Sequence, residues 1–185
     1  MKKVLLVLTL LTTISMSCRK NNNNNADTFP AETQEGKNTL GCYIDGIAFM
    51  SGTTLFGQVR PVNVSYYRDS TTYYKAGFLS IGGIDARYSL DIAGDIVINK
   101  LQVFGVGEYY LMHVANCGSN YGCDGIGYHN AKTSKTYFAE SGKLTIIKLD
   151  IINKIVSGRF NFLAKDTAGN RIQITNGRFD AKYLN

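Results

Sequence analysis

The sequence predicts an all-β protein, and three observations carry that expectation. From Leu40 onward, short runs rich in Ile, Val, Tyr, Phe and Thr alternate with Gly, Asn and Asp. Nineteen glycines stand against only two prolines, a composition suited to many turns between extended segments. Only 143–153 (KLTIIKLDIIN) admits a helical reading, and its β-branched residues and the flanking Gly142 and Gly158 favour strand there too. Many short antiparallel strands predict a single β-sandwich-like domain, with a partly closed β-barrel as the alternative.

Taken in order, residues 1–17 have the parts of a secretory signal peptide. Lys2 and Lys3 make a positive start, Val4 to Ile14 an apolar run, and Ser15 and Ser17 the small residues before Cys18. Eleven residues are too short for a membrane span, which needs about 20. A cysteine directly after the cut fits a lipid-anchor site, departing from the usual lipobox at Ser15 and Met16. The expectation is therefore an exported chain held on a membrane by acyl groups at Cys18, with a plainly secreted protein as the alternative. Loss of residues 1–17 removes Lys2 and Lys3 and lowers the formal charge from +6 to +4. The remaining basic residues are scattered and form no nucleic-acid stripe. Residues 18–38, opening with Arg19-Lys20 and the run Asn21 to Asn25, read as the anchor cysteine and a disordered tether.

Residues 39–185 form the β-domain. Strands are expected at 40–50 (LGCYIDGIAFM), 54–67, 72–82, 87–92, 96–104, 108–115, 126–130, 135–139, 143–150, 154–165 and 170–184. In the last third, Phe160, Phe162 and Ala164 alternate with polar residues before a turn at Asp166 to Asn170 (DTAGN). Apolar parity then flips between Ile174 and Phe179 across Asn176-Gly177. A two-residue hairpin at that dipeptide explains the flip and is preferred, and a bulge in one long strand is the alternative.

The opening Gly41-Cys42-Tyr43-Ile44-Asp45-Gly46 is similar to that of a group of small uncharacterised β-rich lipoproteins of Bacteroidota. So is the closing pair Gly158-Arg159-Phe160 and Ile172-Gln173-Ile174-Thr175-Asn176-Gly177-Arg178-Phe179-Asp180. The resemblance implies a β-rich lipoprotein of the cell envelope and carries no activity. In such bacteria, acidic residues after the acylated cysteine often mark surface export. Arg19-Lys20 stands there instead, so an outer-membrane lipoprotein facing the periplasm is expected.

Chemistry-bearing residues concentrate in HVANCGSNYGCDGIGYH. His113, Cys117, Cys123 and His129 supply two thiols and two imidazoles, the donor set zinc takes, but at no standard zinc-finger spacing. In an oxidising compartment a Cys117–Cys123 disulfide is the preferred reading, and no cofactor or metal is expected. Cys42, in an apolar run, reads as a small buried hydrophobe. Twelve tyrosines and no tryptophan suggest sheet filler, with Tyr67, Tyr73, Tyr121 and Tyr128 as candidate contacts for a ligand. Adjacent tyrosines on a strand point to opposite faces, so each of the pairs 66–67 and 73–74 should give one core and one exposed ring. Asp85, Asp91 and Asp95 are scattered over turns and strand edges and form no evident acid–base pair. The expected function is a non-enzymatic envelope module that binds protein or glycan. A structural or assembly accessory of the outer membrane is the alternative, and a hydrolase a weaker one.

Overall fold

A computed structural model describes residues 29–51, 54–55, 58–59, 62–68, 77–87, 89–113 and 124–184. The sequence expectations for residues 1–28, including the leader and Cys18, lie outside them. So do those for Tyr73, Cys117, Tyr121 and Cys123.

Period-2 alternation becomes strands almost everywhere it was expected. They are β1 (Thr39–Ile44), β2 (Ile47–Ser51), β3 (Thr54–Leu55), β4 (Gln58–Val59), β5 (Asn63–Arg68) and β6 (Gly77–Asp85). These are followed by β7 (Gly94–Val103), β8 (Gly107–Leu111), β9 (Gly125–Asn130), β10 (Lys135–Asp150), β11 (Ile155–Lys165) and β12 (Arg171–Lys182). In β6 every second residue is buried from Gly77 to Asp85, and β11 alternates likewise from Arg159 to Lys165.

Apart from the small pair β3–β4, the strands make one antiparallel sheet in the order β2-β1-β12-β11-β10-β9-β7-β6-β5. β8 and β9 share one side of β10. β9 pairs with residues 135–138 and β8 with residues 142–146. The sheet curls until its edges meet. Leu184, just past β12, bridges Ser65 of β5, with Tyr66 N donating to Leu184 O (3.2 Å) and Leu184 N to Val64 O (3.0 Å). At the other corner, Ile84 N donates to Ser51 Oγ (3.1 Å) and Met50 N to Asp85 Oδ2 (2.9 Å), joining β6 to β2. The result is a half-barrel whose two halves face each other across one core. The all-β expectation therefore holds. Leu40, Phe49, Leu79, Ile96, Ile98, Leu144, Phe160 and Ile174 sit fully inside, and burial of their apolar area supplies the main drive to fold.

Five local expectations are corrected. The expected strand 54–67 divides into β3, β4 and β5, with β3 and β4 pairing antiparallel to each other. The expected strand 40–50 is a hairpin, because Asp45 (φ 47°) and Gly46 (φ 83°) both take left-handed conformations and pair Ile44 with Ile47. Residues 89–92 of the expected strand 87–92 form turns, with Leu90 N bonded to Arg87 O (2.8 Å). The expected strands 135–139 and 143–150 are one strand, β10, with register shifts at Ala139/Ser141 and Ile146/Lys148. Finally, Asn176-Gly177 is the bulge and not the hairpin. Asn176 has φ 50°, and β12 runs on through it between β1 and β11. The turn expected at DTAGN forms around Asp166, whose carboxylate accepts from Ala168 N (3.0 Å), Asn170 N (2.8 Å) and Asn170 Nδ2 (2.7 Å).

Residues 29–38, expected within the tether, instead form a strap across the outer face of β1, β12 and β11. The Asp180 carboxylate anchors the strap by accepting from Thr33 Oγ1 (2.5 Å) and from the amides of Glu35 (3.0 Å), Gly36 (2.8 Å) and Lys37 (3.2 Å). Phe29 stacks on Tyr43 with centroids 4.7 Å apart. Pro30 lies so close over Gly41 that an added Cβ there would come 2.7 Å from its ring, which excludes any larger residue.

Candidate binding groove

Outward residues of a curled sheet are polar unless something covers them, so the outer face is where a ligand site would be built. Across β10, β11 and β12 this face carries two adjoining hollows that share Asn161 and Asn176. The first, about 400 Å³, is lined by Ser141, Asn161, Leu163, Gln173, Thr175 and Asn176, with backbone neighbours between them. The ladders place these side chains in rows. Ser141 lies opposite Leu163 and Leu163 opposite Gln173, while Thr175 lies opposite Tyr43. The second hollow, about 420 Å³, continues past Asn176 to Arg159, Arg178, Tyr43, and Phe29 and Glu32 of the strap. Both volumes fall in the range of small-ligand sites.

The two arginines differ in what holds them. Arg159 is engaged in a fork with Glu32, at 3.0 Å through Nε and 2.9 Å through the terminal nitrogen. Arg178 lies over the Phe29 ring, its Cζ 4.2 Å from the centroid, and its buried Nε has no hydrogen-bond partner among the described residues. An unsatisfied buried donor is costly, so Arg178 Nε is a group that an incoming acceptor would satisfy. The bulge decides the geometry here. By inserting Asn176 in a left-handed conformation it turns that amide outward beside Arg178 and re-aims the end of the row.

A third cavity, about 500 Å³, lies beside this groove and is lined by Met112, His113, Phe138, Ala139, Glu140, Lys165, Asp166 and Thr167. It brings an imidazole near two carboxylates, the arrangement that a hydrolase reading requires. Both carboxylates are already committed. Arg171 and Lys165 hydrogen-bond Glu140 and draw its pKa down to about 2. Asp166 is held below its usual value, first by the Asn170 side chain, as it caps its own turn. Neither retains a proton at neutral pH to act as a general acid.

The remaining sequence candidates fall as follows. Tyr67 is half-exposed while its neighbour Tyr66 is buried, as strand parity requires. Tyr128 is corrected from contact residue to core. It is 2% exposed, and its hydroxyl donates to Ile92 O (2.8 Å). Its parity matches Ile126 and Asn130, which also point inward. Cys42 is a free, buried thiol whose pKa burial pushes up, so it is no nucleophile. His113 packs on Phe138 (centroids 4.5 Å), and His129 Nδ1 lies 3.1 Å from Thr136 Oγ1. Thr136 and Phe138 share a face of β10, so the structure brings both imidazoles over one strand.

Asp95 faces His129 across the β7–β9 ladder, giving a hydroxyl, an imidazole and a carboxylate in one row. Burial holds the Asp95 carboxyl above its usual value, with His129 pulling the other way. A nucleophilic site would add oxyanion donors and a water-excluding cavity, whereas this row stands on a half-exposed sheet face. The sequence reading missed Asn161, Gln173, Asn176 and Arg178. Amides at outward strand positions make no motif, and the only signal was their clustering around the parity flip. Comparison of the chain with protein-family models, with curated proteins and with solved structures gives no match.

Proposed function

We propose that this chain is a lipid-anchored, non-enzymatic binding module of the cell envelope that receives a glycan in the groove across β10–β12. The observation that carries this reading is the cluster of Ser141, Asn161, Gln173, Thr175 and Asn176 around Leu163, leading to Arg178. Amides and hydroxyls both donate and accept, which matches the paired donor–acceptor character of sugar hydroxyls. The cluster runs on to the half-buried Tyr43 and Phe29, whose rings line the second hollow and would offer apolar contact to a sugar. The exported, anchored state is supported by the leader-like run before Cys18.

The test uses the chain from Cys18 onward carrying Cys18→Ser, which keeps every core residue, screened against immobilised envelope and extracellular glycans. A retained glycan should lose about tenfold in affinity on Asn161→Ala with Gln173→Ala, as expected for two lost hydrogen bonds of about 0.7 kcal/mol each. The urea midpoint should not move. Absence of any retained glycan, or binding indifferent to the pair, would remove the groove as the site. The anchor is tested separately by intact mass of the exported protein. A mature chain beginning at an acylated Cys18 and partitioning into detergent is expected, and an unmodified Cys18 in the aqueous phase would defeat that part.

A further inference from the structure

The two ends of the half-barrel differ in chemistry. At one end the turns are Asp45-Gly46, Ala131 to Ser134 and Thr167 to Asn170, mostly polar. The other end gathers the close of β5, the β7–β8 loop, the β10–β11 turn and the chain leaving β12. There Tyr67 (51% exposed), Phe104 (60%), Val106 (66%), Ile151 (53%), Ile152 (91%) and Leu184 (77%) all face solvent. They are neighbours by construction. Leu184 bridges Ser65, Tyr66 Oη donates to Val103 O (3.3 Å), and a cavity of about 310 Å³ joins Tyr67 and Arg68 to Ile151 and Tyr183.

These apolar tips are held outward by built contacts. Tyr109 Oη accepts from Phe104 N (3.1 Å) and Gly105 N (3.0 Å) and donates to Gly105 O (2.7 Å), fixing the β7–β8 loop. Asp150 fixes the next turn by accepting from Asn153 N (2.9 Å) and Nδ2 (2.8 Å), which presents Ile151 and Ile152 at its crest. Among the described residues, exposed Arg68, Lys154 and Lys182 stand beside the tips, with Lys37 and Lys148 behind them; Glu35 and Asp150 oppose the last two, and Glu108 near Val106 is paired with Lys143.

We infer that this end docks on an anionic lipid surface, its apolar tips entering the headgroup–acyl boundary and its cations meeting lipid phosphates. Apolar crests ringed by cations carry the two attractions that hold peripheral proteins at bilayers. The geometry also suits an anchor at Cys18. Phe29 stacks on Tyr43, four residues or about 14 Å along β1 from this end. Ten residues separate Phe29 from Cys18, a chain that extends to about 35 Å. The inference does not rest on acylation or on the glycan groove, and the experiment removes the first and monitors the second.

The chain from Cys18 onward carrying Cys18→Ser is centrifuged with vesicles of phosphatidylethanolamine containing about one third phosphatidylglycerol. It should sediment with them, and more weakly with phosphatidylcholine vesicles or at raised salt. Phe104→Glu with Ile152→Glu should weaken binding at least tenfold, and Lys154→Glu with Lys182→Glu should remove the preference for anionic vesicles. All these positions are exposed, so an unchanged urea midpoint shows that the fold is intact. Glycan retention in the groove should stay as in the parent. A folded parent that fails to sediment, or tip variants that bind as well as the parent, would overturn the inference. So would a dimer in solution that the tip variants dissolve, since the patch would then belong to a second copy of the chain.

Discussion

Asp85→Ala should destabilise the protein by about 3–5 kcal/mol, the cost of leaving a half-buried guanidinium and a buried amide without their partner. Asp85 is 1% exposed at the last position of β6. It accepts from Met50 N (2.9 Å), Arg87 N (3.0 Å) and Arg87 Nε (2.9 and 3.1 Å), and a terminal guanidinium nitrogen completes the ion pair. The same guanidinium donates to Ala48 O (2.7 Å), so one carboxylate and one arginine join the end of β6 to β2 on the far edge of the sheet. Urea melts of Asp85→Ala, Arg87→Ala and the double variant measure the coupling. Adding Arg87→Ala to Asp85→Ala should restore part of the loss, because it removes the stranded charge. A loss below about 1 kcal/mol for Asp85→Ala would mean that the half-barrel closes without this contact.

Asp180→Asn should cost about 3 kcal/mol, and the cost should depend on pH. Burial alone would raise the pKa of this carboxyl, but the Thr33 hydroxyl and the amides of Glu35, Gly36 and Lys37 outweigh it and hold the value below the usual one. A pKa lower in the folded than in the unfolded chain gives stability that is present in full above the unfolded value, near 3.9. That stability is lost as pH falls through the folded value. The parent and Asp180→Asn should therefore differ most at neutral pH and converge in acid. The variant should also release the strap, which trypsin would report as faster cleavage after Lys37. Parallel pH profiles with unchanged proteolysis would show that Asp180 does not hold residues 29–38.

The fold was legible where periodicity decides it. β6 and β9 alternate cleanly and β11 does so from Arg159 to Lys165, and the Tyr66–Tyr67 pair divides between core and surface as parity requires. Two turn-capable dipeptides were misread, Asp45-Gly46 as strand interior and Asn176-Gly177 as a hairpin. Asp45-Gly46 makes the hairpin and Asn176-Gly177 the bulge. Both dipeptides permit the same backbone angles, and the choice between them is made by neighbours. β12 is flanked on both sides by β1 and β11, which carry it straight on, whereas β2 pairs only with β1 and is free to fold back.

Tyr128 was misplaced because its aromatic character was weighed above its parity with Ile126. The strap was hidden for another reason. Its ten residues have no apolar period and are held mainly by one carboxylate about 145 residues away, a pairing no local pattern reveals. The groove was equally silent. Asn161, Gln173 and Asn176 become neighbours only when β11 and β12 pair, and Arg178 becomes notable only through its unsatisfied Nε.

The central claim is that the outer face of β10–β12 receives a ligand, and amide chemical-shift mapping on isotopically labelled protein tests it most directly. Titration with a retained glycan should shift the signals of Asn161, Gln173, Thr175 and Asn176 and the Arg178 Nε–H together, leaving Ile152 and Phe104 at the far end unmoved. Shifts confined to other faces, or an unmoved Arg178 Nε–H at saturation, would contradict the account.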